Sequence, residues 1–199
     1  HDEVANGRAR VAEEIADGDV NNYYSKKRAA LGTAMVLTAP GIPMLFQGQE
    51  LLEDKWFSDT DPIDWSRFSE MKGIVKLHRD LIRLRTNADG TTKGLCGQHI
   101  EILHVNQAEK IVAYHRWMEG GPNDSTIVVL NFRDRAHEGY VLQMPFAGHW
   151  RVRFNSDWGG YDDEFTDHPV YDTVAQEGRK GVFARINIAP YGAVVLSQE

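Results

Sequence analysis

Residues 29–50 read AALGTAMVLTAPGIPMLFQGQE, and this stretch decides the fold class. Residues 29–37 are apolar nearly all round, and Ala29, Ala30, Gly32 and Ala34 are small enough to let a helix backbone lie close against a sheet. Asn21 or Asn22 supplies an amide side chain for the N-cap, which predicts a helix from there to about residue 38. Pro40 brings a ring and no N–H, so the helix ends, and Gly41 helps the chain turn. Ile42-Pro43-Met44-Leu45-Phe46 then runs apolar without polar alternation, the pattern of a strand buried on both faces of a parallel sheet. A helix feeding such a strand is half of an α/β repeat. Gln47-Gly48-Gln49-Glu50 follows at once. At the carboxyl end of a parallel strand, polar groups face the ligand crevice, and Gly48 permits tight curvature. The plainer alternative is a turn whose polar groups satisfy only the loop.

Working outward, a second helix is predicted over 69–85. Ile74, Leu77, Leu81 and Leu84 share one face, and Lys72, Lys76, Arg79 and Arg83 form a solvated basic face. Asp61-Pro62-Ile63-Asp64-Trp65 reads as a loop into that helix, with Trp65 buried. The polar, Gly-punctuated segment 86–92 separates this helical part from a strand-rich one. Strands are expected at 100–105, 111–116, 126–131, 140–144, 150–154, 183–188 and 193–196, at the spacing of an antiparallel sandwich. The connection 155–181 is long, acidic and aromatic, and loops of that length usually serve a purpose.

Composition removes several classes. The 199 residues are 42% apolar and 26% charged, which excludes wholesale disorder. Twenty-two basic against 29 acidic residues give a net charge of −7, so no nucleic-acid partner is expected. The longest apolar stretch is broken by Thr38, Pro40 and Gly41, too short for a membrane span. Cys96, the single cysteine, makes neither an internal disulfide nor a cysteine zinc site. Phosphate-cradling loops, nucleophile elbows and His-x-x-x-His pairs are all missing, and neither metal nor cofactor is expected. The chain opens on His1, not Met, and reads as a piece of something longer.

Two further constellations are candidates for chemistry. His1-Asp2-Glu3 reads as a proton relay, a metal pair or an ordinary surface end; on extended backbone Asp2 and Glu3 point to opposite sides. In 155–165 the carboxylates do not match a calcium-loop spacing. Trp158 and Tyr161 there either stack on a sugar face or plug one end of the sandwich.

Taken in order, HDEVANGR at 1–8, GIPMLFQGQE at 41–50, DPIDW at 61–65 and FNSDWGGYDDEF at 154–165 resemble the last third of an α-amylase-superfamily (glycoside hydrolase family 13) enzyme, most of all the 1,4-α-glucan (glycogen) branching enzymes. The resemblance implies an α+β fragment. Residues 1–90 would be the end of a (β/α)8 TIM barrel, from the end of strand 7 to helix 8, with 42–46 as its eighth strand. Residues 91–199 would be an antiparallel all-β sandwich domain. It implies that Asp2 is the transition-state-stabilising aspartate and that His1 hydrogen-bonds the same sugar. Glu3 is typical of the branching version of the motif, and Gln47, Gln49 and Glu50 shape the active-site wall. Asn6 departs from the His often found there, which weakens the subgroup assignment and not the superfamily. Gln49 favours branching enzymes over α-amylases. An α-amylase, a malto-oligosyltrehalose trehalohydrolase-type glycosidase, and a non-catalytic α-glucan-binding module using Trp158 and Tyr161 are the alternatives. The implied partners are an α-glucan (glycogen, starch or maltodextrin) and the upstream barrel segment of the same parent chain. The nucleophilic Asp and the acid/base Glu would lie upstream of His1, leaving this piece inactive alone. A cytoplasmic location is expected.

Overall fold

The computed structural model describes residues 2–7, 9–121 and 124–198. Among these, the α-helices are α1 (Asp2–Ala5), α2 (Val11–Ile15), α3 (Tyr23–Thr38) and α4 (Lys72–Arg85). α3 begins where its cap predicts: Asn22 Oδ1 accepts the Ser25 N–H at 2.9 Å. It ends at Thr38, whose hydroxyl donates to the Ala34 carbonyl at 2.6 Å and accepts from the Tyr114 hydroxyl at 2.6 Å. α4 buries Ile74, Leu77, Leu81 and Leu84, the face its spacing defines. Residues 65–69 form a separate 3-10 turn and not a first turn of α4.

Several expectations need correction. Residues 42–46 form no strand, and Ile42 is 98% and Met44 57% exposed. A strand exists only through hydrogen bonds to neighbours, and every strand among the described residues lies in the β layer beyond residue 98. Trp65 is 63% exposed, because its 3-10 turn carries the ring away from the core. Asp2 and Glu3 lie on the short helix α1.

The β layer comprises β1 (His99–Asn106), β2 (Ile111–Trp117), β3 (Thr126–Asn131), β4 (His137–Met144), β5 (Gly148–Asn155), β6 (Thr173–Gly178), β7 (Gly181–Ile188) and β8 (Ala193–Gln198). β6 falls inside the expected long connection, which shrinks to 156–172. Its sequence, TVAQEG, buries only Ala175 and so carries little alternation to read. All pairings are antiparallel, in the order β1-β2-β3-β8-β5-β6-β7-β4. The expected two-sheet sandwich is therefore one sheet wrapped nearly into a barrel. Its two edge strands meet through side chains: the Tyr140 hydroxyl lies 2.6 Å from His104 Nε2 and accepts from Asn106 Nδ2 at 2.9 Å.

Two apolar clusters share this sheet. Inside the wrap, Ile111, Ile127, Val129, Trp150, Ile186 and Leu196 pack together. On its outer face Tyr114, Val128, Leu130 and Val195 pack against Leu31 of α3 and Leu77 and Leu81 of α4. β3 is consequently buried at all six residues, so its sequence loses the one-sided alternation of an ordinary antiparallel strand. Arg116, fully buried, stitches the layers: its guanidinium donates to the carbonyls of Thr38, Leu95, Gly97 and His99.

Candidate functional site

Gly48 sets the shape of the 47–53 segment. Its φ is +83°, and a Cβ there would come 2.8 Å from Glu53 Cβ, so glycine is required on two counts. The turn brings Glu53, 2% exposed, beneath the backbone, where Oε2 accepts the Asp64 N–H at 2.8 Å and Oε1 the Lys55 N–H at 3.2 Å. Glu53 thus ties the 61–65 loop to the segment after Phe46. Arg10 clamps the other side, donating to the Gln47 carbonyl and the Lys55 carbonyl, each at 2.6 Å, with its guanidinium 5.1 Å from the Phe46 ring centre.

Gln49 is held by a directional chain. The Ile74 carbonyl only accepts, so His78 Nδ1 carries a proton and donates to it at 2.9 Å. His78 Nε2 then accepts from the Thr33 hydroxyl at 3.2 Å, and the Thr33 oxygen accepts from Gln49 Nε2 at 3.5 Å. Burial pushes the His78 pKa down, against its bond to Ile74 and the nearby Glu50 carboxylate, and keeps the ring neutral. Gln49 Oε1 also accepts the Phe46 N–H at 3.3 Å.

Three of the four sequence motifs converge here. Val4 of α1 and Arg10, Phe46, Gln49, Leu52 and Glu53 line one small cavity. Asp2 is exposed at the start of α1, Gln47 is exposed, and Glu50 is half-buried. His1 and the Glu3 side chain lie outside the described residues. The result is a rim of amide and carboxylate groups on a braced turn, suited to holding hydroxyls and carrying no nucleophile–acid pair that the sequence identifies.

The fourth motif sits elsewhere, on the outer face of the sheet. Tyr161 is buried, and its hydroxyl donates to Asp80 Oδ2 at 2.7 Å. Trp158 is 42% exposed, edge-on to Tyr161, with the Lys76 ammonium 4.8 Å from its ring centre. Gly160 lies against the same indole: a Cβ there would be 2.4 Å from the ring. Sequence reasoning missed the cavity at the barrel mouth that His115 and Trp117 line. Its signal was present, since residues two apart on a strand share a face. Among the described residues, no group of three or more His, Cys, Asp or Glu is arranged to hold a metal ion. No helix among them is long and apolar enough to cross a membrane.

An all-β antiparallel barrel-like domain packed behind such a rim defines a class. Residues 102–199 match the family described as "Alpha amylase, C-terminal all-beta domain". The chain as a whole is similar to the C-terminal part of glucan branching enzymes. It is 28% identical over 211 residues to the 1,4-alpha-glucan branching enzyme GlgB of Pseudomonas fluorescens, covering 100% of this chain and 27% of that protein. It is 30% identical over 167 residues to that of Rhodopseudomonas palustris, covering 81% of this chain and 22% of the other. The chain therefore spans about a quarter of the length of the curated relatives it matches. A pullulanase from Anoxybacillus sp. LM18-11 superposes with a TM-score of 0.61 at 24% identity, over 94% of this chain and 25% of that one. An α-amylase from H. orenii does so at 0.58 and 17%, over 87% and 36%. At these identities the likeness is one of fold.

Proposed function

We propose that this chain is the C-terminal part of a 1,4-α-glucan branching enzyme, which cleaves an α-1,4 bond and transfers the released chain to a 6-hydroxyl of a glycogen- or starch-type glucan. One observation carries this reading: the 46–53 turn, clamped by Arg10 and tied through Glu53 to the 61–65 loop, stands beside an extended apolar segment that forms no strand. Around it Ile42, Met44, Trp56 and Trp65 are 98%, 57%, 64% and 63% exposed, a surface that suits the remaining strands and helices of a (β/α)8 barrel. Residues 1–90 are then the end of that barrel and 91–199 the appended domain.

In this reading Asp2 and His1 hydrogen-bond the sugar at the cleavage point, and Asp2 binds it more strongly as oxocarbenium character develops. Glu3, Gln47, Gln49 and Glu50 complete the wall. Displacement needs a nucleophilic carboxylate and a protonated acid on opposite sides of the bond. Both belong to the upstream barrel segment, so the 199 residues alone are inactive. The location is cytoplasmic, in keeping with a single cysteine.

The test is the parent reading frame expressed with its upstream region and incubated with amylose. Proton NMR should show α-1,6 anomeric signals growing without a matching rise in reducing ends. Reducing ends alone would make the parent a hydrolase, and branching by the isolated 199 residues would refute their inactivity.

A further inference from the structure

Two polar side chains are buried where α3 and α4 join one apolar cluster with Ala30, Ala34, Ile74 and Leu77. Thr33 has no solvent exposure and His78 is 3% exposed. If packing were their only task, apolar residues of the same shape would serve at little cost. Thr38, on the same helix, gives its hydroxyl proton to the Ala34 carbonyl four residues back. Thr33 does not; among the described residues its hydroxyl bonds only His78 and Gln49. The polar chain therefore leads out of the core and ends on the turn that lines the cavity beside Arg10, Phe46 and Glu53.

The protons in this chain can be counted. The Ile74 carbonyl fixes a proton on His78 Nδ1, and burial keeps the ring neutral against the nearby Glu50 carboxylate, so Nε2 is a bare acceptor. A threonine hydroxyl has one proton, and His78 takes it. Toward position 49 the Thr33 oxygen can then only accept. The Gln49 amide is fixed from its other end as well: the Phe46 N–H donates to Oε1 at 3.3 Å, while the Gln49 backbone N–H donates to the Phe46 carbonyl at 2.9 Å. One Nε2 proton points to Thr33, and the second has no partner among the described residues. A carboxylate at this position would set an acceptor against an acceptor.

We propose that Thr33 and His78 are positioning residues for the reaction, and that they restrict position 49 to an amide whose remaining N–H is a donor to the glucan. The proton count stands on this chain's own contacts; its use in the reaction rests on the function proposed above.

The test has two arms. In the 199-residue chain, long-range proton–nitrogen NMR should show His78 at pH 7 with its proton on Nδ1 and none on Nε2. In Gln49→Glu the carboxylate gains the Thr33 proton only if His78 takes up a second one, so His78 should charge at a higher pH than in the wild type. The second arm measures branching of amylose by the parent enzyme. Thr33→Val, close in shape, should lower kcat/KM about tenfold, the value of one hydrogen bond. Thr33→Ser should keep most of the rate. Gln49→Ala should lose as much as the double variant Thr33→Val/Gln49→Ala, because Thr33 acts through the amide. A proton on Nε2 in the wild type, an unmoved His78 titration in Gln49→Glu, or additive losses in the double variant would overturn the assignment. A parent that hydrolyses amylose instead of branching it would overturn the function proposed above, and the same variants compared on the hydrolytic rate would still judge the positioning role.

Discussion

Lys27 Nζ lies 2.5 Å from Asp157 Oδ1, and neither side chain has any solvent exposure. The pair joins the N-terminal part of α3 to the 156–172 loop across 130 residues of sequence. The second carboxylate oxygen accepts from Thr166 Oγ1 at 2.6 Å and the His168 N–H at 2.8 Å, and the ammonium sits 4.8 Å from the Phe165 ring centre. Burial pushes the Lys27 pKa down against the pull of Asp157. For Asp157 burial pushes upward, but the hydrogen bonds from Lys27, Thr166 and His168 prevail and hold it low. Removing one partner strands a buried charge, so Lys27→Met should cost about 3–5 kcal/mol. The double variant Lys27→Met/Asp157→Leu should recover part of that loss. Urea midpoints of the three proteins check both statements.

Gly73 of α4 lets the loop approach closely. A Cβ at this position would lie 1.9 Å from the Tyr161 carbonyl oxygen, a backbone atom that cannot swing aside. Gly73→Ala should lower stability by about 1–3 kcal/mol despite the better helix propensity of alanine. The thermal midpoint should fall, and Trp158 fluorescence should shift as the loop moves.

His78 and His115 are both buried and held neutral, with pKa values pushed below that of a free histidine by burial. Between the unfolded pKa near 6.5 and the folded value of about 4 for His115, the unfolded chain binds more protons. Stability must then fall as pH drops through that window. Denaturant midpoints should decline from pH 7 to pH 5, before the carboxylates titrate. His115→Phe should flatten the decline; a flat wild-type profile would contradict both assignments.

Under the proposed function, Asp2→Asn in the assembled parent should lower branching kcat about 10²–10³-fold, the loss expected on removing one group that stabilises the transition state. Because Asp2 is exposed, the melting temperature should change little. Initial rates on amylose and a thermal scan of the same sample separate the two effects.

Local signals carried much of the architecture into the sequence. The Asn22 cap, the α4 spacing and most strands could be read because each is decided by neighbours three or four residues away or by alternation. The turn at Gly48 was legible for the same reason. Nothing local marks Lys27 for burial: it stands beside Lys26 and Arg28, and its partner lies in the acidic loop. The 42–46 segment carries a buried-strand pattern without the neighbours that would make it one, and β6 has neighbours but little pattern. The rim residues were singled out by their place after the apolar 42–46 run and by motif order, whereas His115 and Trp117 escaped because their meeting depends on β1 and β4 coming together around them.

The Tyr140 contact has a consequence for how this protein behaves in concentrated solution. β1 and β4 end the sheet, and each carries apolar side chains toward solvent, with Ile102, Val105 and Val141 49–55% exposed. Such strands would ordinarily recruit a foreign strand through their unpaired amides and carbonyls. Facing one another across Tyr140, His104 and Asn106, they screen each other, and a single phenolic hydroxyl helps guard against strand-by-strand polymerisation.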